Sequence, residues 1–193
     1  MKNENAFDFQ SVSPEMAVER AVAELRFGRP VVLREGDRRI ATLALDCVSP
    51  TVFDQFARAC DDRHSLHLTR ERAARLGIDA NEGIAVPLAG KSFEEASHLA
   101  YTLGADKPES WAPADPLVSA STELARLALL LPAMVAFEIG NENDRFAACQ
   151  ALDMTQLNAS HTARQHFRQV VRTRVPLKEI GDADFAVFRG GLA

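Results

Sequence analysis

Two spacings of apolar residues alternate along this chain, one close to the helical period and one of short extended runs. Val18, Ala21, Val22 and Leu25 recur at helical spacing behind Ser13-Pro14, an N-cap followed by a proline at the first helical position. Gly28 before Pro30 supplies the stop, and Val31 to Arg34 then reads as a short strand. A charged turn follows, and a second strand runs from about Arg39 to Leu45. Ser49-Pro50 opens a second helix with Val52, Phe53, Phe56 and Cys60 on one side. His64 to Leu68 reads as a strand, Thr69 to Leu76 as a short helix closed by Gly77, and Ile84 to Leu88 as another strand. Ser92 with Glu95 three residues on is a capping box, and its helix runs to about Leu103 before Gly104.

The second half is less regular. Pro108, Pro113 and Pro116 make a loop of Ala105 to Pro116, which also holds Trp111. Ser121 to Leu131 is expected as an apolar helix ended by Pro132, and Met134 to Ile139 as a buried strand. Leu127 to Leu131 is apolar nearly all round, which suggests burial in a core or at a subunit interface. Gly140 to Asp144 reads as a turn. A helix lies somewhere between Met154 and Phe167, followed by extended pieces at Val170 to Leu177 and Phe185 to Phe188. Residues 1–12 are expected as a flexible tail. Short helices and strands alternating in one unit mean a sheet with helices packed on it.

Composition narrows the class. A chain of 193 residues, 47% hydrophobic and 25% charged, is one medium globular domain with room for a core. The formal net charge of −5 and the lack of a basic run argue against nucleic acid as a partner. No apolar run approaches the length of a bilayer span, and the first residues carry no signal-peptide core, so a cytoplasmic protein is expected. Cys47, Cys60 and Cys149 are odd in number and widely spaced, which suits a reducing compartment and core packing.

Candidate chemistry concentrates in Arg34-Glu35-Gly36-Asp37-Arg38-Arg39. One reading is a solvated turn; the other is an anion pocket with Arg34, Arg38 and Arg39 as phosphate donors. His64 and His67, three apart in a strand, point to opposite faces and read as structural. Ser160-His161-Thr162 reads as a polar helix face, and Arg164, His166, Arg168 and Arg172 as a solvated side rather than an anion site. Gly140 to Asp144 has the oxygens for a cation but not calcium-loop spacing.

Four segments in order resemble 3,4-dihydroxy-2-butanone 4-phosphate synthase, an enzyme of riboflavin biosynthesis. They are Val18 to Leu33, Val48-Ser49-Pro50 with Phe53 and Phe56, Leu66 to Gly77, and Glu123 to Ala128 with Pro132 to Ile139. The resemblance implies an α+β fold, three αβα layers around a mixed twisted sheet, and a homodimer. It also implies where catalytic residues should stand. The family's first loop is dense in acids that bind magnesium and move protons; the shorter loop here keeps only Glu35 and Asp37 among arginines. Where the family has glycine-histidine-threonine-glutamate before its late helix, this chain has Ser119-Ala120-Ser121-Thr122. Glu138 matches a family glutamate.

The remnant catalytic positions are therefore Glu35, Asp37 and Glu138, with no metal site and no cofactor expected, magnesium being conceivable only if the ancestral site persists. Such domains resemble the N-terminal half of fused proteins ending in GTP cyclohydrolase II. That suggests a synthase-like domain over 13–180 and a linker over 181–193. The cyclohydrolase's cysteine-rich zinc site is not in this chain, whose three cysteines lie far apart. Three functions stay open: a catalytically inactive domain supporting or regulating a linked cyclohydrolase, an altered lyase on a pentose phosphate, and a stand-alone phosphate- or nucleotide-binding module.

Overall fold

A computed structural model describes residues 13–140, 145–163, 168–178 and 181–189. The expected turn at Gly140 to Asp144 falls outside them beyond Gly140, as do the 1–12 tail, Arg164 and His166, and the side chains of 160–163 and Arg168.

The first half follows the apolar pattern closely. Helix α1 (Pro14–Arg26) is capped by the Ser13 side chain, which accepts from the Met16 amide, and α2 (Pro50–Ala59) by Ser49 in the same way. Strands β1 (Val31–Glu35), β2 (Arg38–Ala44), β3 (Ser65–Leu68) and β4 (Ile84–Pro87) stand within a residue of their expected limits. Helix α3 (Arg70–Arg75) starts at Thr69, and α4 (Phe93–Tyr101) carries the complete capping box. Gly28 takes a left-handed φ of 68° beside the Cys47 carbonyl, where an added Cβ would lie 2.6 Å from the oxygen. Only glycine fits that approach.

The second half departs from expectation in three places. Helix α5 spans Pro116–Leu127, not Ser121 to Leu131, because Asp115 caps it and Pro116 occupies the first turn, where proline is welcome. A two-residue strand, β5 (Ala112–Pro113), pairs with β4 inside the proline-rich stretch. After β6 (Ala133–Glu138) comes an unexpected strand, β7 (Gln150–Asp153), and then α6 (Met154–Ala163). The leucine-rich run is not wholly buried either: the chain leaves α5 through Leu129 at φ 58°, with that side chain 86% exposed.

Seven strands form one mixed sheet in the order β5-β4-β3-β6-β2-β1-β7, antiparallel throughout except for the β1–β7 pair. Alternation along the strands sorts side chains to two faces. One face packs Val32, Ala41, Leu43, Val135 and Phe137 against Phe53 and Phe56 of α2 and the alanines of α3 and α4. The other packs Leu33, Ile40, Ala44 and Met134 against α1, α5 and α6. The result is the expected three-layer αβα architecture, α+β in class. Among the described residues, strands β8 (Arg168–Leu177) and β9 (Gly181–Arg189) pair only with each other, as a separate antiparallel hairpin. Residues 181–189, expected as a linker, are thus paired strand.

Candidate functional site

The charged turn joins two strands whose register is continuous from Val31↔Thr42 to Glu35↔Arg38. Two residues, Gly36 and Asp37, close the hairpin, with Gly36 at φ 57° as such turns require. Register and alternation then divide the charged residues. Arg34 stands opposite Arg39, and both lie on the face that carries Val32 and Ala41. Arg38 stands opposite Glu35 on the other face, with Ile40. The three arginines do not converge.

Arg38 is the organising residue. Strand β2 runs antiparallel to β6 with Ile40 opposite Glu138, so a side chain two positions before Ile40 reaches the Glu138 carboxylate diagonally. Its Nε and Nη2 donate to Glu138 Oε1 at 3.2 and 3.0 Å, and Nη2 also donates to Asp115 Oδ2 at 2.9 Å. The second Asp115 oxygen, Oδ1, accepts from the Leu117 amide at 2.8 Å and so caps α5. One guanidinium thereby ties β2, β6 and the start of α5 together.

The electrostatics agree with the geometry. Partial burial pushes the Asp115 carboxyl up, but the Arg38 hydrogen bond and the Leu117 and Val118 amides outweigh it, leaving the acid below its ordinary value. Asp115 and Glu138 raise the Arg38 guanidinium further. All three side chains are more than a third exposed, so the network fixes geometry more than it adds stability.

The remaining expected site residues lie apart from this centre. Glu35 and Asp37 are exposed at the hairpin tip. Arg39 Nη2 donates to the Gly140 carbonyl at 3.0 Å. Arg34 is exposed, with Asp153 of β7 as its cross-strand neighbour. Ser119 to Thr122 lie within α5 rather than before it, and the residues that do precede the helix, Ala114 and Asp115, include no histidine. Among the described residues no group of three or more histidine, cysteine, aspartate or glutamate side chains is placed to hold a metal ion. No described helix is long and apolar enough to cross a membrane.

The histidines behave as their spacing implies. His64 packs edge-on to Phe53, ring centres 5.5 Å apart, while His67 lies on the opposite face, paired with Met134. Asp115 was missed by the sequence reading. The signal was present: Asp115-Pro116 repeats the cap-plus-proline pattern of Ser13-Pro14 and Ser49-Pro50.

Comparisons with known proteins agree with this fold. No protein-family model matches the chain. It is 44% identical over 179 residues to a GTP cyclohydrolase-2 of Xylella fastidiosa (strain Temecula1 / ATCC 700964), a match of 91% of this chain and 45% of that protein. The chain thus spans less than half the length of the curated relative. A two-domain 3,4-dihydroxy-2-butanone 4-phosphate synthase from A. baumannii superposes with a TM-score of 0.53 at 18% identity, over 90% of this chain and 66% of that one. A 3,4-dihydroxy-2-butanone 4-phosphate synthase in complex with two magnesium ions superposes with a TM-score of 0.55 at 16% identity, over 77% of this chain and 97% of that one. The chain has the fold of 3,4-dihydroxy-2-butanone 4-phosphate synthase, and its sequence is similar to the matched part of a GTP cyclohydrolase-2.

Proposed function

We propose that this is a catalytically inactive synthase-like domain of riboflavin biosynthesis that supports or regulates a GTP cyclohydrolase II, as a cytoplasmic homodimer. The observation that carries the reading is the Arg38 guanidinium lodged between Asp115 and Glu138. Magnesium takes six oxygen ligands in near-octahedral geometry and is held by carboxylates that face an open position. Here the two carboxylates that meet already face a fixed cation, and neither Ala114 nor Asp115, just before α5, is a histidine. This donor set does not fit a magnesium site. A carboxylate held below its ordinary value and bonded to arginine is also a poor base for removing a proton from carbon. The exposed leucines Leu103, Leu129 and Leu131 supply apolar surface for a dimer.

The altered-lyase reading would need that site to reopen. The anion-binding reading would need Arg34, Arg38 and Arg39 on one face, and strand alternation separates Arg38 from the other two. Calorimetric titration with magnesium chloride, alongside an assay of ribulose 5-phosphate consumption, tests the proposal. Neither micromolar binding nor turnover is expected. Arg38→Ala, which frees both carboxylates, should tighten magnesium binding by roughly tenfold through removal of a competing charge. Turnover by the unaltered chain together with micromolar magnesium binding would sink the reading.

A further inference from the structure

The β1–β2 hairpin sets two arginines directly opposite each other. Arg34 and Arg39 are cross-strand partners, and the Arg39 carbonyl accepts from the Ile139 amide beside β6 at 2.8 Å. The backbone of Arg39 therefore points away from β1, which makes Arg34–Arg39 a non-hydrogen-bonded pair, the closer of the two antiparallel kinds. Their Cβ atoms then stand about 5 Å apart on one face of the sheet. Like charges so placed repel each other and weaken the pairing.

Nothing nearby cancels that repulsion. Arg38, on the other face of the same hairpin, is bonded to two acids. Among the described residues, neither Arg34 nor Arg39 takes part in an ion pair. Arg39 Nη2 donates to the Gly140 carbonyl at 3.0 Å, which orients the half-buried side chain without neutralising it. Asp153 is the cross-strand neighbour of Arg34 on β7, yet no ion pair joins the two. The closed turn at Gly36 and Asp37 fixes both backbone positions, so a ligand held between the arginines orders little further chain.

Donor count selects the ligand. One planar guanidinium fork already satisfies both oxygens of a carboxylate. A phosphate monoester carries three acceptor oxygens and close to two negative charges at neutral pH, which suits two forks together. We propose that Arg34 and Arg39 form a binding site for a phosphate dianion, free or as the end group of a monoester. Arg38 takes no part, being bound on the opposite face. The site needs no metal ion, so it stands whether or not the domain has lost synthase activity. In a chain of net charge −5 the attraction is local, and added salt weakens it.

Isothermal titration of the 193-residue chain with sodium phosphate, with EDTA present, tests the site. Saturable binding is expected at low salt, weaker in sodium chloride. Arg34→Gln and Arg39→Gln should each weaken it by about tenfold or more, as expected for hydrogen bonds to a charged group. Arg20→Gln, exposed on α1 across the sheet, should leave it unchanged. Asp153→Asn removes a negative neighbour and should tighten it. In the unaltered protein, the side-chain Nε–H NMR signals of Arg34 and Arg39 should shift on phosphate addition, a readout that depends on no variant. Glycerol 3-phosphate separates the two sources: tighter binding than inorganic phosphate assigns an ester, equal or weaker binding assigns the free ion, and either upholds the site. Unmoved Arg34 and Arg39 signals would overturn the proposal. So would acetate binding as tight as that of phosphate, or unchanged affinity in both glutamine variants.

Discussion

A buried histidine is one group whose protonation disfavours the folded state in acid. His67 is 2% exposed, its Nδ1 has no partner in the structure, and Gly83 crowds its Cε1 so closely that a Cβ there would lie 2.8 Å away. Burial pushes its pKa down to about 4, against a weaker opposing pull from the Ile84 backbone. His64, buried on the other face, is lowered by the same cause. A lowered folded-state value means that the unfolded chain binds the proton first. His67 then costs no stability above its ordinary value of 6.5 and a growing amount as the pH falls from there to about 4. The full loss is on the order of 3 kcal/mol at one pKa unit per 1.36 kcal/mol. Urea unfolding of His67→Leu at pH 4.5 and 7.5 should show a smaller difference between the two pH values than the unaltered protein. An equal difference would mean that His67 is not the titrating group. At this scale the sequence was informative where chemistry is local. The opposed faces of His64 and His67 follow from their spacing alone. The partners of Arg38 lie 77 and 100 residues away, and nothing near it in the chain announces either.

Four of the helices that carry their own caps were legible at their starts, while α5 and β7 were not. Ser13, Ser49, Thr69 and Ser92 each announce a helix start that the structure reproduces. Helix α5 was shifted by five residues because its prolines were read as breakers rather than as a capped first turn. Strand β7 offers only Ala151 and Leu152 as apolar signal, and it is a strand because β1 pairs with it in parallel. Arg72, part of the leucine-threonine-arginine-alanine motif, explains a motif position in physical terms. Its Nε and Nη2 donate to the Leu99 carbonyl at 2.8 and 2.6 Å, and Nη2 donates to the Thr102 carbonyl at 2.8 Å. These are carbonyls at the C-terminal end of α4, which the helix cannot satisfy itself. Arg72→Met should lower stability by about 1–3 kcal/mol, read as a fall in the urea midpoint. Arg72→Lys should recover little of it, since an ammonium cannot reproduce the fork. Full rescue by lysine would show that charge, not geometry, is what matters there.

On the scale of the whole molecule, the structure divides into a seven-stranded body and a hairpin with its own sheet. Sequence patterning supplied a sheet with helices packed on it, and the family resemblance supplied the three layers. Patterning did not supply the division, since β8 and β9 look locally like any other strands. If the body is self-contained, a chain ending at Ala163 should melt within about 2 °C of the 193-residue chain by calorimetry, as expected when the removed residues bury little core. A fall of 10 °C or more would show that the hairpin belongs to the body's cooperative unit.

The guanidinium at the corner of β2, β6 and α5 differs from a bound ion in one further respect: it is covalently attached. It has no dissociation constant and cannot be stripped by a chelator or diluted away. Its charge therefore stays at that corner when divalent ions are withdrawn. What loosens it is ionic strength, which screens a half-exposed triad whatever salt provides it.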